Sequence, residues 1–349
     1  MAAPDLTTSR RLADVLREAR QRIQVSDDEL AEARRRRDLL ASTLRREFGR
    51  TSRTYLNGSV AHGDALTPLT DIDLGVVVPD PESTYGPHGQ GPEVLQLRAA
   101  DAIRSAHKTE FPNLRVIVGG RKRSVYVSFG SPVDPSQDDF SADVIVALDY
   151  PTGAGLWIPN YDSWDRSDPE THTTLVRSAA KSSAYNYSRT VRLLKHWART
   201  HSKPLCSWNI KALALACLAV ELDQLDGMVA WFDHAIDDLS WRDTPDPAGV
   251  AGAIALPGDR TELVAKLQKA RAKLAEAIQY DAEGYDVLAI EALAIFFNDE
   301  QMLSRPPAAA IAEQHLQRTA QNRRQRSVPT APALSPQVRD RTPVRSWAR

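Results

Sequence analysis

The spacing of apolar and polar residues predicts helices at the N-terminal end of the chain. Residues 8–49 place apolar side chains at helical intervals along one face. Ser26 followed by Glu29 has the form of a capping box, in which a serine begins a helix and the glutamate returns a hydrogen bond to it. This box divides the segment into two helices.

Between Arg53 and Tyr150 the pattern changes to short runs of β-branched residues, which is typical of strands. One helical stretch interrupts them near residues 92–109. The predicted strands are TYLNG, IDLGVVV, LRVIVGG, SVYVSFG and ADVIVALDY.

After a Pro- and Asp-rich connector at residues 151–170, helical periodicity returns and continues until Pro306-Pro307 ends the last long helix. The predicted fold class is α+β, with a mixed sheet, an N-terminal helical arm and a C-terminal helical domain. The predicted helices cover about residues 172–201, 207–224, 228–240, 259–281 and 283–303. The predicted domains are the arm 1–52 packed on the core, the core 53–170, the helical domain 171–305 and a disordered basic tail 306–349, with a short helix after Pro307.

Charge is distributed unevenly along the 349 residues, whose formal net charge is −1. Residues 317–349 contain eight arginines and one aspartate, a net charge of +7, so the preceding 316 residues carry −8. The first twenty residues lack the apolar run of a signal peptide, and no segment is apolar over the length of a membrane span. We therefore expect a cytoplasmic protein that does not bind a membrane, a monomer or a weak oligomer.

Asp71 and Asp73 stand at the start of a strand that otherwise reads as core, IDLGVVV. Alternate residues of a strand share a face, so the two carboxylates point the same way and Ile72 and Leu74 point into the core. Neighbouring carboxylates repel each other unless a cation lies between them. Mg²⁺ is commonly held by a few carboxylates together with phosphate oxygens.

Upstream, Gly58-Ser59 ends a strand and begins a helical turn, where a backbone without a Cβ atom, amide groups and a hydroxyl can approach a phosphate. A third carboxylate would complete a two-metal site. Asp143 and Asp149 are both candidates. Asp143 is preferred because an apolar run follows it, as in a strand beside the first, whereas Asp149 precedes Tyr150-Pro151.

The order G-S, then D-h-D-h, then a lone strand aspartate resembles the DNA-polymerase-β-like nucleotidyltransferase superfamily. The stretch GSVAHGDALTPLTDIDL is similar to the bacterial CD-NTases, relatives of cyclic GMP-AMP synthase and oligoadenylate synthetase. Further similar segments are LWIPN with the following S-D-P-E-T-H, TVRLLKHWAR and KPLCSWNIKALAL. The likeness covers roughly residues 40–230. Asp64 departs from it, because the family commonly has threonine there.

The resemblance implies a polymerase-β-like core and a cofactor of two Mg²⁺ or Mn²⁺ ions. Asp71 and Asp73 would bridge the ions, and Asp143 would share one and help to deprotonate an attacking ribose hydroxyl. The implied nucleotide-binding residues are Gly58, Ser59, Lys195 for the triphosphate, Ser207 for phosphate and Trp208 for base stacking. From the residues alone, Lys195 also fits a solvated basic helix face, Trp208 also fits core packing, and Ser207 also fits a helix N-cap.

The resemblance further implies synthesis of cyclic di- or oligonucleotides from NTPs with release of pyrophosphate, in antiphage signalling of the CBASS type. Family members commonly need a protein or nucleic-acid activator. The alternative is a transferase that acts on RNA or tRNA, with the basic tail contacting phosphates. A third interpretation is an inactive nucleotide-binding module. The presence of all three carboxylates argues against it.

Overall fold

The computed structural model describes residues 10–326, and those up to Pro306 form a mixed sheet flanked by helices. The helices are α1 (Arg10–Arg22), α2 (Asp27–Phe48), α3 (Gly58–His62), α4 (Pro92–His107), α5 (Pro169–Ser182), α6 (Asn186–Thr200), α7 (Ser207–Cys217), α8 (Gln224–Leu239), α9 (Arg260–Ala282), α10 (Asp286–Phe297) and α11 (Ala308–Arg326). The strands are β1 (Arg53–Asn57), β2 (Asp71–Val78), β3 (Arg115–Ile117), β4 (Val125–Ser128), β5 (Ser141–Asp149), β6 (Leu156–Asn160) and β7 (Ser163–Ser167).

The predicted capping box separates α1 from α2. The Ser26 hydroxyl accepts the Glu29 amide at 3.2 Å, and the Glu29 carboxylate accepts the Ser26 amide at 3.4 Å. Two otherwise unpaired amides at the start of α2 are thereby satisfied. The N-terminal segment is therefore two helices, as the sequence predicts.

The sheet has the strand order β1-β2-β5-β4-β3, and β2 and β5 run parallel at its centre. The other pairings are antiparallel. One face of the sheet packs on α2 and α4 through buried apolar residues such as Leu40, Leu44, Ala99, Ile103 and Val144. Side chains of a strand alternate between the two faces of a sheet. Because the apolar residues of β2 and β5 point toward α2 and α4, their polar residues at the start of each strand lie on the opposite face.

The predicted connector at residues 151–170 is wrong for most of its length. It contains the hairpin β6-β7, whose first strand pairs with the end of β5 through Leu148 and Trp157. Leu156 and Ile158 are buried, which supplies the apolar alternation of a strand. The prolines and aspartates of the segment hide this alternation in the sequence. One of these prolines, Pro159, lies inside β6 itself.

The helix predicted over residues 172–201 is two helices, α5 and α6. Ala184 and Tyr185 lie between them with φ values of +49° and +66°, a left-handed conformation that ends α5 and redirects the chain. Three other predicted helices have shifted bounds, since α7 ends at Cys217, α8 begins at Gln224 and α10 covers only Asp286–Phe297.

The described residues up to Pro306 form one compact unit. The predicted domain boundaries at residues 52 and 170 therefore stay predictions. Beyond Pro307, α11 occupies residues 308–326, where the sequence predicts a short helix. The remainder of the predicted tail, residues 327–349, lies outside the described residues, so its predicted disorder stays a prediction. Within residues 10–326, no helix combines the length and apolar character that crossing a bilayer would require.

Candidate active site

The pairing of β2 with β5 brings three aspartates together at one edge of the sheet. Asp73 lies beside Asp143 in the parallel register, and Asp71 lies two residues earlier on the same face of β2. Carboxylate oxygens of the three residues lie within 4.8 Å of one another. The intervening Ile72 is buried on the other face, at 2% exposure, so the predicted alternation is present.

The surroundings of Asp73 disfavour the charged form of its carboxyl group. Burial, the charge of Asp71 and the charge of Asp143 raise the pKa of Asp73 to about 7, although Lys211 and Lys195 oppose the shift. A carboxylate that is buried among like charges is stabilised when a cation binds. Three carboxylates whose oxygen atoms lie this close together suit a hard divalent cation such as Mg²⁺. The residues of the triad therefore fit a metal site.

Asp143 and Asp149 lie near opposite ends of β5 and have different surroundings. Asp143 accepts a hydrogen bond from the Ser124 hydroxyl at 2.8 Å and lies 3.6 Å from the Arg121 guanidinium. Asp149 is more than half exposed and forms an ion pair with Arg53 at 2.7 Å. Of the two candidates for the third carboxylate, the structure brings Asp143 to the triad.

Gly58 begins α3 with a φ of +76°, and its backbone lies directly against the triad. A Cβ atom at this position would lie 1.6 Å from Oδ2 of Asp73. Only glycine permits both this φ and this approach. Gly58 therefore lets the turn at the start of α3 lie directly against the Asp73 carboxylate.

The substitution Gly58→Ala is expected to reduce the nucleotidyl transfer that the sequence resemblance implies by roughly 10²-fold, because Asp73 must move by more than an ångström to admit the methyl group. Gly63→Ala is the matched control, since Gly63 has a φ of +71° but its Cβ would meet nothing closer than 3.7 Å. Steady-state kinetics and thermal melting of both variants separate backbone strain from displacement of Asp73. Equal activity loss in the two variants would contradict this role of Gly58.

Asp64, which the sequence did not explain, lies at the centre of a buried charge cluster. Its carboxylate is fully buried and lies 2.6 Å from Nζ of Lys195 and 3.0 Å from Nζ of Lys211. Burial alone would raise the pKa of Asp64, but the two lysines outweigh it and hold the pKa at about 2. Asp64 therefore carries a charge that fixes two cations in the wall of the site.

His62 extends this cluster as a neutral imidazole. Its Nε2 lies 3.1 Å from the Thr173 hydroxyl, which itself donates to the Leu56 carbonyl at 2.9 Å. This leaves Nδ1 of His62 to accept a hydrogen bond from Nζ of Lys211 at 2.9 Å. Burial and the Lys211 cation lower the pKa of His62 to about 3, which agrees with the neutral form.

Lys195 lies in α6 and lines the same cavity as the triad, but it is not on a solvated face. It is buried, and its Nζ donates to both the carboxylate and the main-chain carbonyl of Asp64. Lys211, four residues into α7, lines the cavity beside it. Lys211 was missed in the sequence because it lies within the apolar run IKALALAC.

At the start of α7, Cys206 rather than Ser207 is the N-cap. The sulfur of Cys206 accepts a hydrogen bond from the backbone N–H of Asn209 at 3.4 Å. Ser207 is exposed. Trp208 is partly exposed and lies against His172, with ring centroids 4.5 Å apart. Nε2 of His172 is in turn 2.5 Å from Asp246. The indole is thus held at the cavity wall and does not lie in the core.

These residues surround a cleft of about 1050 Å³. Seven of the eight predicted site residues line it, and the eighth, Asp143, joins it through the carboxylate triad. Residues 251–255 and Pro257, which the sequence did not mark, supply another wall. A cleft of this size, with acidic groups beside basic ones, suits a ligand that carries phosphates and is held through a metal.

No protein-family model matches the chain, and no curated protein matches it significantly. Solved structures do match. CdnC of E. coli MS115-1 with ATP aligns with a TM-score of 0.62 at 18% identity, over 87% of this chain and 100% of that chain. A deletion mutant of the di-nucleotide cyclase DncV of Vibrio cholerae aligns with a TM-score of 0.65 at 13% identity, over 85% and 98%.

The CD-NTase CdnG of Bradyrhizobium diazoefficiens in complex with GTP aligns with a TM-score of 0.59 at 15% identity, over 82% of this chain and 98% of that chain. The chain therefore has the fold of the bacterial CD-NTases, a polymerase-β-like core with a C-terminal helical region. The resemblance in the motifs and the predicted fold class are confirmed at this level.

Proposed function

We propose that the protein is a metal-dependent nucleotidyltransferase that joins NTPs into cyclic di- or oligonucleotides and releases pyrophosphate. The observation that carries this proposal is the triad of Asp71, Asp73 and Asp143, gathered within 4.8 Å at the cleft. Structures of similar fold include a di-nucleotide cyclase and proteins solved with ATP or GTP, which supports nucleotide chemistry in this cleft.

The triad would hold two Mg²⁺ or Mn²⁺ ions. When bound, such ions supply charge neutralisation to the reacting phosphates and acidity to the attacking hydroxyl. Asp143 is the proton acceptor in this scheme. The ribose oxygen forms a bond to the α-phosphorus, the bond from that phosphorus to pyrophosphate breaks, and the hydroxyl proton moves to a carboxylate oxygen of Asp143.

The basic wall of the cleft would bind the triphosphate. Lys195 and Lys211 are buried, and Asp64 holds them in fixed positions, so they lose little side-chain freedom when phosphate binds. Ser59 and Ser207 both line the cleft and can donate hydroxyl protons to phosphate oxygens. Trp208 offers the face of its indole ring to a base.

Trp208→Ala is expected to raise KM for the NTP by about 5- to 150-fold, which corresponds to the loss of roughly 1–3 kcal/mol of base stacking. Trp208→Phe retains an aromatic face and serves as the control, with a much smaller effect on KM. Initial-rate kinetics over a range of NTP concentrations measure both. An unchanged KM with a lower melting temperature in Trp208→Ala would assign the indole to a structural role instead.

The reaction itself is tested by incubation with each [α-³²P]NTP in turn, together with the three unlabelled NTPs, Mg²⁺ or Mn²⁺ and added RNA. We expect a small labelled product that resists phosphatase, since a cyclic product has no terminal phosphate. Label in the added RNA would instead support the RNA- or tRNA-directed transferase. A linear labelled product would support transfer without ring closure.

The biological setting that we propose is antiphage signalling in the cytoplasm, with an activating protein or nucleic acid. Its support is the resemblance to the CD-NTases and the fold shared with E. coli CdnC, which has been solved in complex with a HORMA protein. Because an activator can control such enzymes, the labelling experiment should include a lysate of phage-infected cells as a second condition.

A further inference from the structure

A second cleft, of about 930 Å³, lies on the other side of α3 from the active site and is strongly basic. It is formed by α1, the start of α2, α3, α5 and α6, and it shares only His62 with the lining of the catalytic cleft. Its charged lining residues are five cations and a single carboxylate, Asp27. The cations are Arg20, Arg177, Lys181, Arg189 and Arg192.

The cations of this basic cleft have no carboxylate partner within 4.0 Å among residues 10–326. Arg20 and Arg192 are both buried, and each donates to the side-chain oxygen of Gln24, at 3.0 and 3.1 Å. Arg192 also donates to the main-chain carbonyls of Ala65 and Gly63, which are neutral acceptors as well. Nε of Arg20 is buried without any hydrogen-bond partner in the described part of the chain. A buried guanidinium normally completes its hydrogen bonds, so this one leaves a donor unused.

The arginines also disfavour one another. Burial and the neighbouring Arg20 lower the pKa of Arg192 to about 10, although the charge of Asp64 opposes this shift. Burial and Arg189 lower the pKa of Arg20. Elsewhere in the protein a buried arginine is neutralised, as Arg36 is by Asp139 at 2.7 Å. The basic cleft lacks this neutralisation, so a bound anion would stabilise it.

Tyr185 adds an aromatic surface to the lining of this cleft. Its side chain is 63% exposed, and its backbone and that of Ala184 are both left-handed, which costs free energy for residues other than glycine. The turn between α5 and α6 therefore holds a large ring in solvent beside the cations. An exposed aromatic side chain next to guanidinium groups is suited to stack on a planar heterocycle whose phosphates contact the cations.

We propose that this basic cleft is a second binding site, separate from the catalytic one, for a small phosphate-bearing ligand of the nucleotide class. Its volume is within the range of clefts that enclose small molecules. The phosphates contact Arg177, Lys181 and Arg189, which have exposed surface, and the heterocycle stacks on Tyr185.

The test is calorimetric titration of the full chain with inorganic tripolyphosphate and, separately, with ADP, in 0.15 M salt with EDTA. Three double variants each replace two exposed cations by glutamate. Arg177→Glu with Lys181→Glu alters the basic cleft, Lys122→Glu with Lys203→Glu alters the catalytic cleft, and Lys266→Glu with Lys269→Glu alters the exposed side of α9. All three produce the same change in net charge.

We expect the first double variant to weaken tripolyphosphate binding at least tenfold and the α9 control to change it less than twofold. Tyr185→Ala is expected to weaken ADP but not tripolyphosphate, because only ADP has a base to stack. Equal weakening in the first variant and the α9 control would overturn the proposal, since it would show only a general charge effect. Loss confined to the catalytic-cleft variant, or no binding to the wild type, would overturn it as well.

A duplex nucleic acid is the remaining alternative for a basic surface. If a 30-base-pair duplex bound to the wild type and lost that binding in the first double variant, while tripolyphosphate and ADP did not bind, the surface would be a nucleic-acid contact and the proposal would fail. Binding of tripolyphosphate and ADP with the expected pattern across the variants supports it.

Discussion

Asp73→Asn is expected to lower the turnover of the proposed nucleotidyl transfer by roughly 10³-fold or more and, at the same time, to stabilise the metal-free protein. The loss of turnover follows because the triad would hold the cations that neutralise the reacting phosphates. This neutralisation lowers the barrier by several kcal/mol, and each factor of ten in rate corresponds to about 1.4 kcal/mol. Burial and the charges of Asp71 and Asp143 disfavour the charged form of Asp73, so its carboxylate gains stabilisation when a cation binds.

The gain in stability comes from removing a buried negative charge that lies close to two others. Because burial and the neighbouring carboxylates raise the pKa of Asp73 to about 7, above its unfolded value of 3.8, this group stabilises the fold at low pH and loses that contribution as pH rises toward 7. An uncharged amide removes the penalty. Melting in EDTA should therefore show a higher melting temperature for Asp73→Asn at pH 8, with a smaller difference at pH 5.

Asp101→Asn is a suitable control, because it removes one carboxylate that is 74% exposed on α4. It should leave both turnover and melting temperature nearly unchanged. Turnover of Asp73→Asn within tenfold of the wild type, or a lower melting temperature at pH 8 in EDTA, would contradict the assignment of Asp73.

Asp64→Asn is expected to lower the free energy of unfolding by about 3–5 kcal/mol, the usual cost of breaking a buried ion pair from one side. Lys195 and Lys211 both depend on this carboxylate, and both are nearly inaccessible to solvent. Without it, two cations face each other in a buried site. Urea unfolding at pH 7 measures the change.

The double variant Asp64→Asn with Lys211→Met should be more stable than Asp64→Asn alone, because it removes one of the two unpaired cations. If the second substitution instead added its own destabilisation in full, Asp64 and Lys211 would be energetically independent. That result would contradict the buried cluster as the reason for aspartate at this position.

The carboxylate site could be predicted from the sequence because its information is local. The alternation Asp71-Ile72-Asp73-Leu74 determines which side chains share a face, and the apolar run after Asp143 marks a strand. The choice of Asp143 over Asp149 also depended on that run. What the sequence could not provide was the register that places Asp73 beside Asp143, since it depends on pairing across seventy residues.

The basic wall of the cleft was only partly predictable. Lys195 was found through the family motif, but its partner Asp64 is 131 residues away, and that distance in sequence hides the ion pair. Lys211 reads as an interruption of an apolar helix. The hairpin β6-β7 was missed because prolines and aspartates mask its alternation, so the pattern favoured a loop.

The central claim, that Asp71, Asp73 and Asp143 bind divalent cations, is tested most directly by titrating Mn²⁺ and measuring the free ion by electron paramagnetic resonance. Asp143→Asn and Asp149→Asn form a matched pair, because both remove one carboxylate from β5. We expect Asp143→Asn to weaken Mn²⁺ binding at least tenfold and Asp149→Asn to leave it unchanged. Equal affinity in both variants and the wild type, or no Mn²⁺ binding by the wild type, would contradict the claim.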